Sequence, residues 1–237
     1  MKALILAAGF GKRLLPLTKD KPKAMLKIDN KPIIEHTINW LNKNNILDIA
    51  INLHYKPQVI IEYLGDGSKF GVNITYSHEE EILGTAGAVK LLQNYLDEDF
   101  FIIYGDILTN IDLNEFKQFH NSNNSFLTMC TRTKSQDVRY SNLIEINEKN
   151  QIVNYIEKPD ISITKDKPNI ANCGIYYCNK ELLNNIPKGF SDFSYDIFPK
   201  LIKQKNVFCY HLPKNNYWHE IGRLEKYNKL KSSFISP

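Results

Sequence analysis

The chain has 237 residues, 43% of them hydrophobic, enough for one large α/β domain or two small ones whose core needs no disulfide support. Thirty Lys and Arg against 26 Asp and Glu leave a net charge of +4, spread along the chain, which argues weakly for nucleic acid and suits small anions equally. Cys130, Cys173, Cys178 and Cys209 show neither C-x-x-C spacing nor a zinc pattern with histidine, so free thiols in a reducing cytoplasm are expected. The start MKALILAAG is not a signal peptide, and no run approaches the roughly 20 apolar residues of a membrane helix.

KALILAA is a short continuous apolar run closed by glycine, the pattern of a buried parallel strand. Pro32 opens a helix across KPIIEHTINWLNKNN, with Ile33, Ile34, Ile38 and Leu41 at helical spacing. LDIAINL reads as a strand, PQVIIEYLGDGSKFG as a short helix ending in glycines, and VNITYS as a strand. GTAGAVKLLQNYL reads as a helix that begins at glycine, and FFIIYGD as a strand ending in Gly-Asp. This alternation predicts an α/β fold with a doubly wound parallel sheet.

After about residue 125 the pattern changes. SFLTMCTRT, NLIEINEKNQIVNYIEKP and NIANCGIYYCN are strand-like, with NEKNQ as a turn, so mixed or antiparallel strands join the sheet. Helices in KELLNNI and DFSYDIFPKLIKQ, short strands NVFCYHL and YWHEIG, and a terminal helix RLEKYNKLKSSF follow. No linker, repeat or low-complexity stretch interrupts the chain. The expectation is one domain, 1–237, with a nucleotide-binding lobe of about 1–125 and a substrate lobe of about 126–237.

The first strand runs into AAGFGKRLLPLTKDKPKAM. A dinucleotide fingerprint, G-x-G-x-x-G, fails because Leu14 stands at its third glycine. A P-loop fails because Leu6 replaces its first glycine and Arg13 its Ser/Thr. What remains is still suited to an anion. Ala8, Gly9 and Gly11 let backbone N–H groups come close. Arg13 can fork across phosphate oxygens, Lys23 adds a point charge, and Pro16 and Pro22 stiffen the loop. Asp106 follows a strand at the end where open parallel sheets bind ligands.

Gly9-Phe10-Gly11-Lys12-Arg13, Pro16, Thr18 and Pro22-Lys23 resemble the G-x-G-x-R-x-x-P-x-T-x-x-x-P-K signature of sugar-1-phosphate nucleotidyltransferases. EEEILGTAG is similar to the base-reading loop of the mannose-1-phosphate guanylyltransferase-like branch, and IIYGDIL, IEKP and YWHEIG resemble the family's metal, sugar-phosphate and W-x-D-I-G segments. The resemblance implies a Rossmann-like α/β catalytic domain, here with no residues left for a C-terminal left-handed β-helix. It also implies that Gly84 and Thr85 face the base, that Glu157 binds sugar hydroxyls, and that Lys158 binds the sugar phosphate. Asn172 and Gly174 match an N-x-G sugar-facing strand, and Tyr140 falls where the family has Tyr-Gly, with Ser141 replacing the glycine. Glu220 stands where the family has a metal-binding aspartate, so Mg²⁺ would be held by Asp106 and Glu220. Read from the residues alone, Glu157-Lys158-Pro159 is a charged turn before proline, and Thr85 can simply cap a helix. His54, His78, His120 and His219 are read as surface or core residues.

The implied function is a cytoplasmic nucleotidylyltransferase of nucleotide-sugar and polysaccharide biosynthesis. It condenses an NTP, GTP favoured, with a sugar 1-phosphate of mannose or heptose type, with no nucleic-acid or membrane partner and its oligomeric state left open. UTP, dTTP or CTP enzymes of the same fold stay open, as does a cytidylyltransferase acting on a non-sugar phosphate. A non-catalytic nucleotide-sugar sensor stays open because of Glu220. An NAD-binding oxidoreductase would need the missing third glycine.

Overall fold

The computed structural model describes residues 1–133, 142–160 and 170–234. In chain order its strands are β1 (Lys2–Leu6), β2 (Lys27–Ile28), β3 (Lys31–Pro32), β4 (Asp48–Leu53), β5 (Asn73–His78), β6 (Phe100–Tyr104), β7 (Ile107–Thr109), β8 (Leu127–Thr133), β9 (Asn142–Ile146), β10 (Ile152–Glu157), β11 (Ile170–Cys178), β12 (Val207–His211) and β13 (Trp218–Glu220). Its α-helices are α1 (Ile33–Lys43), α2 (Pro57–Leu64), α3 (Gly84–Leu91), α4 (Leu113–Ser122), α5 (Phe198–Gln204) and α6 (Leu224–Ser233). The fold is mixed α/β, and the chain falls into two compact units.

The first unit holds residues 1–82, 103–110 and 215 onward. Ala3, Leu4 and Ile5 of β1 are wholly buried, as a strand covered on both faces requires. β1 lies parallel to β4, Leu6 opposite Asn52, and β4 lies parallel to β5, Asn52 opposite Ser77. The end of β6 flanks β1 on its other side. Strand ends therefore gather at the start of the loop that follows β1. Pro32 caps α1, whose Ile33, Ile34, Ile38 and Leu41 are buried at the expected spacing. α2 starts at Pro57 and stops at Gly65, where φ is +61°. A short antiparallel pair sets Glu220 of β13 opposite Ile107 of β7.

The second unit holds residues 83–102 and 111–214. Its sheet runs β12–β8–β11 and then the start of β6. β8 is parallel to β12 and antiparallel to β11, the mixed pairing expected after residue 125. β9 and β10 form an antiparallel hairpin, and the Asn147 carboxamide oxygen accepts the Lys149 and Gln151 N–H groups at 3.0 Å each to make its turn.

Three local features depart from the sequence reading. α4 falls in a stretch to which no element was given, although its signal is present. Asp112 caps it, accepting from the N–H groups of Asn114 at 2.7 Å and Glu115 at 3.1 Å, and Leu113, Phe116 and His120 form a buried stripe. KELLNNI is a 3₁₀ segment, Lys180–Asn185, not an α-helix; its two asparagines favour turn backbone. DFSYDIFPKLIKQ begins as a π-helical turn, Phe193–Ile197, before α5. Pro199 has no N–H to give to a carbonyl four residues back, so the wider turn lies just before it. The four cysteines are buried and none forms a disulfide. Among the described residues no helix is long and apolar enough to cross a membrane.

Candidate active site

The loop after β1 is built around two glycines with different reasons to be glycine. Gly11 has φ +65°, and a Cβ there would lie 3.0 Å from Thr18 Cγ2. Its carbonyl accepts from Thr18 Oγ1 at 2.9 Å and from the Leu14 N–H at 2.8 Å, which closes the turn. Gly9 has no left-handed φ, and a Cβ built on it meets no protein atom within 4 Å. The space over its backbone is open to a ligand. Leu14, the residue that breaks the dinucleotide fingerprint, is an anchor: it is fully buried with Leu26, Ile33, Leu108, Ile221, Tyr227 and Leu230. Burial of a leucine side chain contributes about 1.5–3 kcal/mol, so the loop is fixed by its own core residue.

The same unit brings Arg13, Lys23, Asp106 and Glu220 together. Lys23 Nζ donates to Asp106 Oδ2, and the Asp106 side chain is only 10% exposed. Backbone bonds hold this corner: the Gly105 N–H donates to Leu6 O at 2.9 Å, and the Ile221 N–H to Asp106 O at 2.9 Å. Glu220 accepts from Lys226 Nζ at 2.7 Å, with its side chain 31% exposed. A Cβ on Gly222 would lie 2.5 Å from Glu220 Oε1 and 3.6 Å from an Arg13 guanidinium nitrogen, so Gly222 makes room for the longer glutamate beside Arg13. Burial pushes the Glu220 pKa up. The hydrogen bond and charge of Lys226, with the charges of Lys23 and Arg13, outweigh it and hold the carboxyl below its usual range. Glu220 is thus an anion at neutral pH in a cluster of cations. Sequence reasoning missed Lys226; its signal is its place in the first turn of α6, four residues after WHEIG.

Among the described residues no group of three or more His, Cys, Asp or Glu side chains converges to hold a metal. Asp106 and Glu220 instead offer two carboxylates at neighbouring backbone positions, since Ile221 bonds Asp106 and Glu220 pairs with Ile107. A hard cation brought in on a triphosphate needs no more than that, so this donor set fits Mg²⁺.

In the second unit, Gly84 and Thr85 open α3. Gly84 has φ +75°, and a Cβ there would lie 2.4 Å from Ser191 O; one on Gly87 would lie 2.4 Å from Gly189 O. Ser191 O accepts the Ala86 and Gly87 N–H groups at 3.0 and 3.1 Å, and Thr85 Oγ1 donates to Asp192 Oδ2 at 2.9 Å. Segment 189–193 therefore explains these glycines and engages the Thr85 hydroxyl. Phe190, 69% exposed, stands beside Gly84. Glu157 accepts from Tyr155 OH at 3.0 Å, and that hydroxyl also contacts Ser194 Oγ at 3.0 Å. Lys158 is exposed, with φ +48° and its ammonium 6.0 Å from the centre of the Tyr195 ring. Asn172 faces inward in part: its carboxamide oxygen accepts the Gly174 N–H at 2.7 Å and its nitrogen donates to Tyr176 OH at 2.6 Å. Tyr140 and Ser141 lie outside the described residues.

A family model described as nucleotidyl transferase matches residues 2–235. The chain belongs to the nucleotidyl transferase family. It is 32% identical over 226 residues to the mannose-1-phosphate guanylyltransferase catalytic subunit beta of Dictyostelium discoideum, covering 94% of this chain and 61% of that protein. It is 33% identical over 227 residues to the mannose-1-phosphate guanyltransferase of Yarrowia lipolytica, with coverage of 94% and 61%. The chain thus spans about three fifths of the length of these curated relatives. Among solved structures, HddC from Yersinia pseudotuberculosis is 26% identical, with a TM-score of 0.83 and coverage of 99% of each chain. The chain therefore matches a solved fold along nearly its whole length.

Proposed function

We propose that this chain moves a nucleotidyl group from an NTP, with GTP favoured, onto a sugar 1-phosphate of mannose or heptose type. An oxygen of the sugar phosphate forms a bond to the α-phosphorus, the bond from that phosphorus to the bridging oxygen breaks, and pyrophosphate leaves. The observation that carries this reading is the set of Arg13, Lys23, Asp106 and Glu220 around an open glycine backbone in the first unit. Both reactants are anions, so the work is neutralisation and alignment, and no histidine base is needed. The Ala8–Gly11 backbone would cradle the triphosphate. Arg13 would neutralise the triphosphate and the departing pyrophosphate, and Lys23 the α-phosphate. Lys158 would hold the attacking phosphate, with Glu157, Asn172 and Tyr140 on the sugar and the Gly84–Thr85 backbone on the base. Asp106 and Glu220 would hold Mg²⁺, which when bound would supply charge neutralisation to the reacting phosphates.

The names of the relatives, mannose-1-phosphate guanylyltransferases, support guanine and mannose as first choices. The test is a matrix of NTPs against sugar 1-phosphates, read by pyrophosphate release. A UTP, dTTP or CTP optimum removes the guanylyl assignment and leaves the transferase. The engagement of Glu220 by Lys226 favours one second reading, a non-catalytic nucleotide-sugar sensor. In the same matrix a sensor binds nucleotide and releases nothing.

A further inference from the structure

Behind the phosphate loop lies a buried polar chain that the proposed chemistry does not use. Ala7, the first residue beyond β1, donates its N–H to Asn52 Oδ1 at 2.7 Å. Asn52 Nδ2 donates in turn to Glu79 Oε1 at 2.6 Å. Ala7 is 7% exposed, Asn52 3% and Glu79 2%. Glu79 is itself fixed: its N–H donates to Leu53 O at 2.8 Å, and His54 Nδ1 lies 2.8 Å from its carbonyl oxygen. A carboxylate is costly to bury, so an apolar core residue would serve packing alone better.

The polarity of this chain has one solution. The Ala7 N–H can only donate, so it must face the carboxamide oxygen of Asn52. That turns the NH₂ toward Glu79 Oε1, which accepts from it. Glu79 thereby holds Asn52 in this orientation, and Asn52 sets where β1 releases Ala8 and Gly9. On the other side of the same strand end, Gly105, next to Asp106, bonds Leu6 O at 2.9 Å. The loop backbone and Asp106 are therefore held to one strand end from two directions. We propose that Asn52, oriented by Glu79, is a positioning residue for the triphosphate. The inference rests on the reading of residues 8–23 as a phosphate site.

The experiment compares wild type with Asn52→Ser, Asn52→Asp and Glu79→Gln. It measures KM separately for NTP and for sugar 1-phosphate, affinity for inorganic pyrophosphate by calorimetry, and Tm. Serine is too short to span both partners. Asn52→Ser should raise the KM for NTP and weaken pyrophosphate binding by about tenfold or more, the usual effect of leaving buried partners unmet. The KM for sugar 1-phosphate should stay within about twofold of wild type, below the effect of one lost hydrogen bond. Asn52→Asp sets carboxylate against carboxylate and should be at least as severe. Glu79→Gln still offers an oxygen to Asn52 and should stay within about threefold of wild type; it carries the test together with Asn52→Ser if the aspartate variant does not fold. An Asn52→Ser protein with lower Tm but wild-type KM for NTP and wild-type pyrophosphate affinity overturns the positioning role. A wild type that releases no pyrophosphate from any substrate pair overturns the functional reading, while the pyrophosphate-binding arm still decides this inference.

Discussion

Gly9→Ala and Gly84→Ala are the same change with opposite expected outcomes. At Gly9 the added methyl meets no protein atom within 4 Å and the backbone is not left-handed. The unfolded chain loses freedom, so stability should hold or rise by up to about 1 kcal/mol. For a chain of this size that is a Tm change of roughly 0 to +4 °C. If a phosphate seats against this backbone, the methyl intrudes on it and costs about 1–3 kcal/mol, a roughly 5- to 150-fold loss in kcat/KM for NTP. At Gly84 the methyl would lie 2.4 Å from Ser191 O, at φ +75°, where that oxygen also accepts two N–H groups at the start of α3. Left-handed strain of about 1–2 kcal/mol adds to overpacking of about 1–3 kcal/mol, so Tm should fall by roughly 4–20 °C. Differential scanning calorimetry and steady-state kinetics on both variants decide the matter. A Gly9→Ala protein with unchanged Tm and unchanged kcat/KM refutes the assignment of the open backbone to a phosphate.

Three further outcomes follow from the same geometry. Arg13 is exposed, so Arg13→Ala should leave Tm unchanged yet lower kcat by hundreds-fold, about 3–4 kcal/mol of lost charge stabilisation; near-normal turnover removes Arg13 from the chemistry. Glu220→Gln should raise the Mg²⁺ concentration for half-maximal rate, Asp106→Asn should do so more strongly, and Glu220→Asp should retain much of the activity; superimposable Mg²⁺ titrations of wild type and Glu220→Gln would reduce Glu220 to a partner of Lys226. Burial lowers the His120 pKa from 6.5 to about 4, against a weaker opposing pull from Asp99, so the folded state binds fewer protons than the unfolded chain across that window. Stability should then fall as pH drops from 6.5 towards 4, by up to roughly 3 kcal/mol, and His120→Gln should flatten this part of the urea-stability profile against pH.

The sequence carried the α/β fold, because β1 and β4 are short apolar runs and α1 and α2 keep their period and their punctuating Pro or Gly. Arg13, Lys23 and Asp106 were legible as candidates for a different reason: loop chemistry is local, and the resemblance ties the distant aspartate to it, while the structure sets Lys23 against Asp106. Leu14 was legible only as a failed glycine, since its burial under Ile221 and Tyr227 depends on residues more than 200 positions away. The glycines at 84 and 87 likewise gained their reason from segment 189–193, which no local pattern reveals. Lys226 and the Asn52–Glu79 chain were missed because a lysine on a surface helix and a polar residue in a strand carry no signal until folding sets them against a carboxylate. The π-helical turn before Pro199 shows the converse: the breaker was visible, but not how the chain would accommodate it.

The most direct measurement is ³¹P NMR of the wild-type protein with Mg²⁺, GTP and mannose 1-phosphate. The account predicts a new diester-linked pyrophosphate pair from the nucleotide sugar, inorganic pyrophosphate in equal amount, and initial rates with GTP at least about tenfold above those with ATP. Spectra in which the nucleotide signals broaden on binding while no pyrophosphate appears, with this or any other NTP and sugar 1-phosphate, would contradict it.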